Sequence, residues 1–401
     1  MDFSPSLVAK ARQRHPNLQF HLADAYEFRS EEKFDYIIIS DLLNDVPDVQ
    51  VLLDKVQQHS CQHTRLVINS YNNLWRPVLN FAERLGLKSP TLTQNWLSSW
   101  DIQNLLHLAS WELVKAESRI LWPIKTPLLG SLFNRWLAPF FKHFCLTTFF
   151  VARPRALPSQ YHQFTCSVVI PARNEAGNIE AAVLRTPEMG AGTEIIFVEG
   201  HSKDNTWDEI QRIAAKYPHR KIKILKQQSK GKGGAVREAF AAASGDLLFI
   251  LDADLTMPPE DLPKFYQVAC SGTADFVNGV RLVYPMEDEA MRFFNMLGNK
   301  FFSMAFSWLL GQPIKDTLCG TKVLFRTQYE HLARNRSYFG DFDPFGDFDL
   351  LFGAAKLNLK MIDLPIRYRA RTYGETNISR WKHGLLLLRM VLFAARRLKF
   401  F

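Results

Sequence analysis

Cysteine is scarce in this chain: five residues among 401 (Cys61, Cys145, Cys166, Cys270 and Cys319), widely spaced, with no CxxC pair. An odd and scattered set excludes a disulfide framework and a cysteine zinc site, and a reducing compartment is the simplest reading. The opening MDFSPSLVAKARQRHPN has no apolar core of the signal-peptide kind, so secretion is not expected. A long hydrophobic run is also lacking. MRFFNMLGNKFFSMAFSWLLG is interrupted by Arg292, Asn295, Asn299 and Lys300, and GLLLLRMVLFAARRLKFF is short and basic, so neither is expected to span a bilayer. Both suit an interface or internal packing. Neither GxxxxGK[ST] nor GxGxxG occurs, which removes the P-loop and dinucleotide fingerprints, and no repeat or heptad array is visible. No basic motif interleaved with aromatics recommends nucleic acid.

The chain does have a globular balance, with 47% hydrophobic and 22% charged residues, and enough length for two domains at about 100–200 residues each. Its formal charge of +9 fits nucleic acid, an anionic membrane or anionic small substrates. The distribution of that charge is uneven. From Arg367 onward, Arg367, Arg369, Arg371, Arg380, Lys382, Arg389, Arg396, Arg397 and Lys399 face one acidic residue, Glu375. Residues 380–401 therefore read as a basic amphipathic tail suited to an anionic membrane surface.

Residues 1–152 alternate helical and strand patterns. SPSLVAKARQRH and VPDVQVLLDKVQQH read as helices, and LQFHLAD, FDYIIISD and RLVINSY as strands. The apolar run Tyr36 to Ile39 predicts a strand buried on both faces. WELVKAESRILW and LTTFFVAR predict two longer strands around a proline-interrupted apolar stretch from Pro123 to Phe144, and residues 153–163 read as a linker. A second α/β unit, 164–379, opens with SVVIPARNEAGNIEAAV and repeats the pattern through TEIIFVEGHSKDNTWDEIQRIAAKY, KIKILKQ, AVREAFAAAS and DLLFILDADL. Alternation of this kind predicts an open sheet with ligands at the carboxyl ends of its strands.

The sharpest constellation is Asp252-Ala253-Asp254 at the end of LLFIL. Carboxylates two residues apart in extended chain share a side and can address one hard divalent cation. The same residues also make a simple turn in which Asp254 caps the next few backbone N–H groups. In SKGKGGA, Gly231, Gly233 and Gly234 allow close backbone approach at a helix N-terminus, which suits an anion or a planar base as well as a plain helix start. Ser202, Asp204 and Thr206 are expected to cap the helix beginning with WDEIQRIA.

SVVIPARNEAGNI, FVEGHSKDNT, SKGKGGAVREAF, GDLLFILDADLTMPPEDL and RTYGETNI, in this order, resemble a family 2 glycosyltransferase of the dolichol-phosphate mannose synthase type. That resemblance implies a GT-A fold, a nucleotide-sugar donor, Mg²⁺ or Mn²⁺, inversion at the anomeric carbon and a polyprenyl-phosphate or other lipid acceptor. It places Pro171, Asn174, Glu175, Glu199, Lys232, Gly233 and Asp252 on the nucleotide sugar, and Asp252 and Asp254 on the metal. It gives catalytic positions to Asp254, Arg281, Lys322, Asp349 and Arg371, with Asp316, Arg326 and Asp347 in the same regions. Glu199 stands where aspartate is commoner. Arg367, Arg369 and Arg371 alternate along IDLPIRYRARTYGETNI and are expected to share one face of a strand, with Arg371 closing on phosphate. The expected location is cytoplasmic, peripheral on the cytosolic face of a membrane.

DFSPSLVAKAR, LADAYEF, FDYIIISDLLNDV and the closing strand pair resemble a class I S-adenosylmethionine-dependent methyltransferase. The likeness makes Asp2 the acid on the ribose hydroxyls and Asp24-Ala25 the turn near the adenine. With the chain starting at Met1, the strand and glycine-rich loop before that acid are missing. An incomplete Rossmann-like domain that does not bind S-adenosylmethionine is expected, against two alternatives: a bifunctional enzyme with an upstream start, and a non-catalytic nucleotide-binding scaffold at the membrane.

Overall fold

The computed structural model describes residues 1–88, 95–155, 163–281, 293–336, 348–369, 371, 373 and 380–400. Asp347 and the turn from Gly374 to Thr376 lie outside these residues. The chain divides into two compact units, Met1–Arg155 and Ala156–Phe401.

In the first unit, strands β1 (Phe34–Ile39), β2 (Ser60–Tyr71), β3 (Trp111–Arg119) and β4 (Thr147–Pro154) form a sheet in the order β1-β2-β4-β3. β1 runs parallel to β2, and β4 runs antiparallel to both β2 and β3. The helices Pro5–Arg14 and Val49–Gln57 form where the periodicity predicts them, started by Ser4 and Asp48, whose side chains accept from the Leu7 and Val51 N–H groups. Leu52, Leu53, Leu66, Ile68, Leu106, Trp111 and Phe150 make the core.

Two expectations fail here. LQFHLAD forms no strand, only an isolated bridge between Asp2 and Leu22, because Leu18 and Leu22 stay exposed and no neighbouring strand rewards extension. β1 is not buried on both faces: it is a sheet edge, with Tyr36 and Ile38 exposed and Ile39 buried.

The second unit holds a seven-stranded sheet in the order β11-β9-β10-β8-β5-β6-β7, from β5 (Cys166–Ala172), β6 (Thr193–Glu199), β7 (Lys221–Lys226), β8 (Leu247–Ile250), β9 (Phe276–Val280), β10 (Lys322–Phe325) and β11 (Met361–Pro365). β5 pairs parallel with β6 and β8, and β6 with β7, while β10 is antiparallel to both β8 and β9. Alternation sorts the side chains. Val169, Ile196, Val198, Leu248 and Ile250 face one core with the helix Gly231–Ala242, and Val168, Ile170, Ile195, Phe197 and Phe249 face the other. Each fully buried residue of this size contributes about 1.5–3 kcal/mol, so the sheet is a firm base for the loops at its edge. The four parallel strands deliver the loops after Ala172, Glu199, Lys226 and Ile250 to one edge.

Candidate active site

The loop after β5 turns at Asn174, which sits in the left-handed region at φ 56. It is held by the loop after β6: the Ser202 Oγ accepts from the Asn174 N–H at 3.0 Å, the Thr206 Oγ1 from the Glu175 N–H at 2.9 Å, and the Asn174 Oδ1 from the Lys203 N–H at 2.7 Å. These hydroxyls do not cap the helix Thr206–Lys216 as expected. Asn205 holds its N-cap position without a side-chain bond, and the Ser202 and Thr206 oxygens are spent across the two loops instead, while Asp204, the third expected cap, does accept from the Thr206 N–H at 3.1 Å at the helix start. Glu199 is buried and accepts from the Ser202 N–H at 2.5 Å, so it fixes the turn of its own loop. Pro171 lies within β5, one register step from Glu199 of β6.

Asp252 and Asp254 come directly after β8. Asp252 meets the Lys232 Nζ at 2.5 Å. Burial pushes its carboxyl up, but the Lys232 ammonium, with Lys322 and Arg281 behind it, holds it below the usual carboxylate range. Asp254 divides its oxygens. Oδ1 accepts from the Thr256 N–H and hydroxyl at 3.1 and 2.8 Å, which is the turn that bare spacing allowed, and Oδ2 accepts from the Arg371 Nη2 at 2.6 Å.

Arg371 also reaches Glu175, with Nη1 at 3.7 Å from Oε1. Burial raises the Glu175 pKa, opposed by the Asn178 amide, which donates at 2.8 Å, and by Arg371. Tyr373 lies against the same loop, since a Cβ on Gly177 would meet its ring at 2.6 Å. Residues 371 and 373 thus lie across the first loop and the second aspartate together. They do not belong to a strand: β11 ends at Pro365, and the Ile366 and Arg369 N–H groups turn to the Val280 and Thr256 carbonyls. The expected stripe of three arginines on one strand face is not formed. Arg367 and Arg369 are exposed, and Tyr368 packs under Arg281, 5.3 Å from ring centre to guanidinium carbon.

Lys232 and Gly233 stand in the first turn of the helix Gly231–Ala242. Gly231 is required there by its φ of 79, and the buried Gln227 donates to its carbonyl at 2.7 Å. Lys322 is fully buried at the start of β10 and donates to the Cys319 carbonyl at 2.5 Å. Arg281, after β9, commits Nε and Nη2 to the two oxygens of buried Asp316 at 2.7 and 2.9 Å. That pair raises the arginine and lowers the aspartate pKa against the burial of each. Asp349 is placed in another group. Its carboxylate accepts from the Arg336 Nε at 2.7 Å and lies 3.3 Å from the Arg237 Nη2. Arg326 is at the opposite end of the sheet, where its N–H donates to the Asp246 carbonyl at 2.8 Å.

Gly320 is a site residue that the sequence did not announce. A Cβ there would lie 2.1 Å from the Asp252 Oδ2 and 2.5 Å from the Lys232 Nζ, so only glycine lets this backbone close over the pair. Its position two residues before Lys322 in LCGTK was the available signal. Asp252 and Asp254 offer carboxylate oxygens at one strand end, a donor set that would suit Mg²⁺ or Mn²⁺. Among the described residues no group of three His, Cys, Asp or Glu side chains could hold a metal alone. Each aspartate instead meets a cationic side chain, Lys232 on Asp252 and Arg371 on Asp254.

Residues 167–338 match the family model "Glycosyl transferase family 2", and residues 1–111 match a "Methyltransferase domain" model. The second unit thus matches the family 2 glycosyltransferases over most of its length, on a mixed seven-stranded sheet, and the first matches a methyltransferase domain. A dolichol-phosphate mannosyltransferase of Pyrococcus furiosus is 31% identical over 218 residues, covering 53% of this chain and 59% of that protein. An undecaprenyl-phosphate 4-deoxy-4-formamido-L-arabinose transferase of Aeromonas hydrophila is 32% identical over 228 residues, covering 55% of this chain and 64% of that protein. The chain spans about three fifths of the length of these two relatives. A solved glucosyl-3-phosphoglycerate synthase from Mycobacterium tuberculosis overlays at a TM-score of 0.44 and 19% identity, over 59% of this chain and 80% of that one.

Proposed function

We propose that this chain transfers a sugar from a nucleotide-diphosphate donor to a polyprenyl-phosphate acceptor at a membrane surface, with Mg²⁺ or Mn²⁺ held by Asp252 and Asp254. The observation that carries the reading is the pairing of each aspartate with its own long cationic side chain, Lys232 at 2.5 Å and Arg371 at 2.6 Å. A bound metal would neutralise charge developing on the departing diphosphate. The chain's own residues do the rest. The Asn174-Glu175 loop and Glu199 line the nucleotide pocket, and the glycines around Lys232 let backbone approach the donor. Lys232 and Arg371, displaced from the carboxylates, turn to phosphate oxygens, while the Asp316 pair holds Arg281 facing them. Buried Lys322 adds fixed positive charge behind Asp252.

An acceptor phosphate is already ionised near neutral pH and needs no strong base. Asp349, tied to two guanidiniums, is better suited to positioning Arg336 and Arg237 for an anionic acceptor than to removing a proton. For the membrane, the helix Arg380–Leu398 buries Met390 and Ala394 and exposes Leu385, Leu388 and Leu392 along one face with Arg389 and Arg396. Lys399, expected among the outward cations, is buried. No helix among the described residues is long and apolar enough to cross a membrane. Peripheral attachment on the cytosolic face fits this surface.

The test is a panel of radiolabelled nucleotide sugars incubated with the chain and a membrane lipid extract. Label entering the organic phase from one donor supports the reading. Tight nucleotide binding with no transfer from any donor would assign the chain to a non-catalytic scaffold.

A further inference from the structure

The first unit carries an apolar surface that its own core does not use. Between Pro123 and Phe144, Leu128 is 87% and Phe140 63% exposed, and Leu132, Trp136 and Phe144 are also exposed. This stretch is tightly built. The Asn134 side chain clamps Trp122, accepting from its N–H and donating to its carbonyl, both at 2.7 Å. The Trp122 indole donates to Thr126 and packs on Phe133 with ring centres 5.5 Å apart. The buried Cys145 thiol reaches the Ala138 and Phe141 carbonyls. Inward positions are thus filled by Phe133, Ala138 and Cys145, and the larger apolar residues between them turn to solvent.

The helix Arg76–Arg84 joins the same surface. The Trp75 indole donates to the Phe144 carbonyl at 2.8 Å, and exposed Leu74, Val78, Phe81 and Leu85 recur at three- or four-residue spacing, which puts them on one face. Charge indicates what covers it. No Asp or Glu occurs from Ser118 to Asn174, while Lys125, Arg135 and Lys142 are exposed, the Arg135 guanidinium 5.9 Å from the Trp136 ring. Leucine and aromatic side chains bordered by cations, with acids excluded, is the composition of an interfacial lipid contact. Pro123, Pro127 and Pro139 break any continuous helix, so the segment cannot cross a bilayer as a single helix.

We propose that the Pro123–Phe144 segment, together with the face of helix Arg76–Arg84, docks the first unit on an anionic lipid bilayer. This surface belongs to the first unit and the C-terminal helix to the second, and the proposal does not rest on sugar transfer.

The test uses the full chain with an environment-sensitive fluorophore on Leu128→Cys, a control label on Glu31→Cys, and the unsubstituted chain labelled as background. Vesicles of phosphatidylcholine with and without phosphatidylglycerol are added. Expected is a blue shift at position 128, with quenching by brominated lipid, on anionic vesicles only, and none at position 31. In a chain carrying Leu385→Gln and Leu392→Gln to weaken the tail, adding Leu128→Ser, Trp136→Ser and Phe140→Ser should lower vesicle binding by about tenfold or more with unchanged circular dichroism. A label at 128 that stays in water on anionic vesicles overturns the proposal. So does an equal shift on neutral vesicles, or a shift without lipid that grows with protein concentration and makes a second copy the occupant.

Discussion

Arg371 donates to the Asp254 Oδ2 at 2.6 Å across a separation of 117 residues, so the carboxylate best placed for a metal is already engaged by the C-terminal region of the chain. One guanidinium spans Asp254 and Glu175, and Tyr373 beside it rests on Gly177. Under the proposed function, a donor–metal complex entering this site would have to take Asp254 away from Arg371, and the freed fork would then face phosphate, coupling donor binding to the position of this segment.

Arg371→Lys should lower kcat by more than tenfold, about 1.4 kcal/mol or more, because a compact ammonium lacks the planar fork that spans Asp254 and Glu175 and grips two phosphate oxygens in one plane. Arg367→Lys, at an exposed position before the site, should change kcat little. Steady-state kinetics on both variants checks the contrast.

Gly320→Ala places a methyl 2.1 Å from the Asp252 Oδ2. The Asp252–Lys232 pair must then separate, so weaker donor binding and a lower melting temperature are expected together. Calorimetric titration with a nucleoside diphosphate and a thermal melt measure the two effects.

Stability at the other end of the sheet should depend on pH. Glu194, at the start of β6, is buried, and although burial pushes its carboxyl up, Ser167, the Ser244 N–H and Lys223 bring it from 4.5 down to about 2. A carboxylate depressed by folding contributes stability above its unfolded pKa and loses it as pH falls through the folded one. Glu194→Gln should therefore be less stable than wild type near neutrality, and the gap should narrow between pH 4.5 and about 2. Denaturant melts across that range test it, and donor binding at pH 7 should be unaltered.

Much of the second sheet was legible because its parallel strands are short apolar runs closed by loops, and DLLFILDAD places two carboxylates at a strand end without ambiguity. What sequence could not supply was pairing at a distance. Nothing local marks Arg371 as the partner of Asp254, or Gly320 as the lid over Asp252. Ser202 and Thr206 look like helix caps because that is their commonest local use, and only the neighbouring loop reveals their actual acceptor role. In the first unit, LQFHLAD has the alternation of a strand but finds no neighbour to pair with, and Tyr36 to Ile39 reads as buried on both faces although one face stays open.

Metal-dependent sugar transfer through Asp252 and Asp254 is tested most directly by one assay: transfer from the nucleotide sugar found in the donor panel to polyprenyl monophosphate in vesicles, with chelator, after re-addition of Mn²⁺ or Mg²⁺, and with Asp254→Asn. The expected result is transfer that stops in chelator, returns with the metal, and falls by about 100-fold or more in the variant while its circular dichroism is unchanged. Full turnover in excess chelator, or an Asp254→Asn variant as active as wild type, would contradict it.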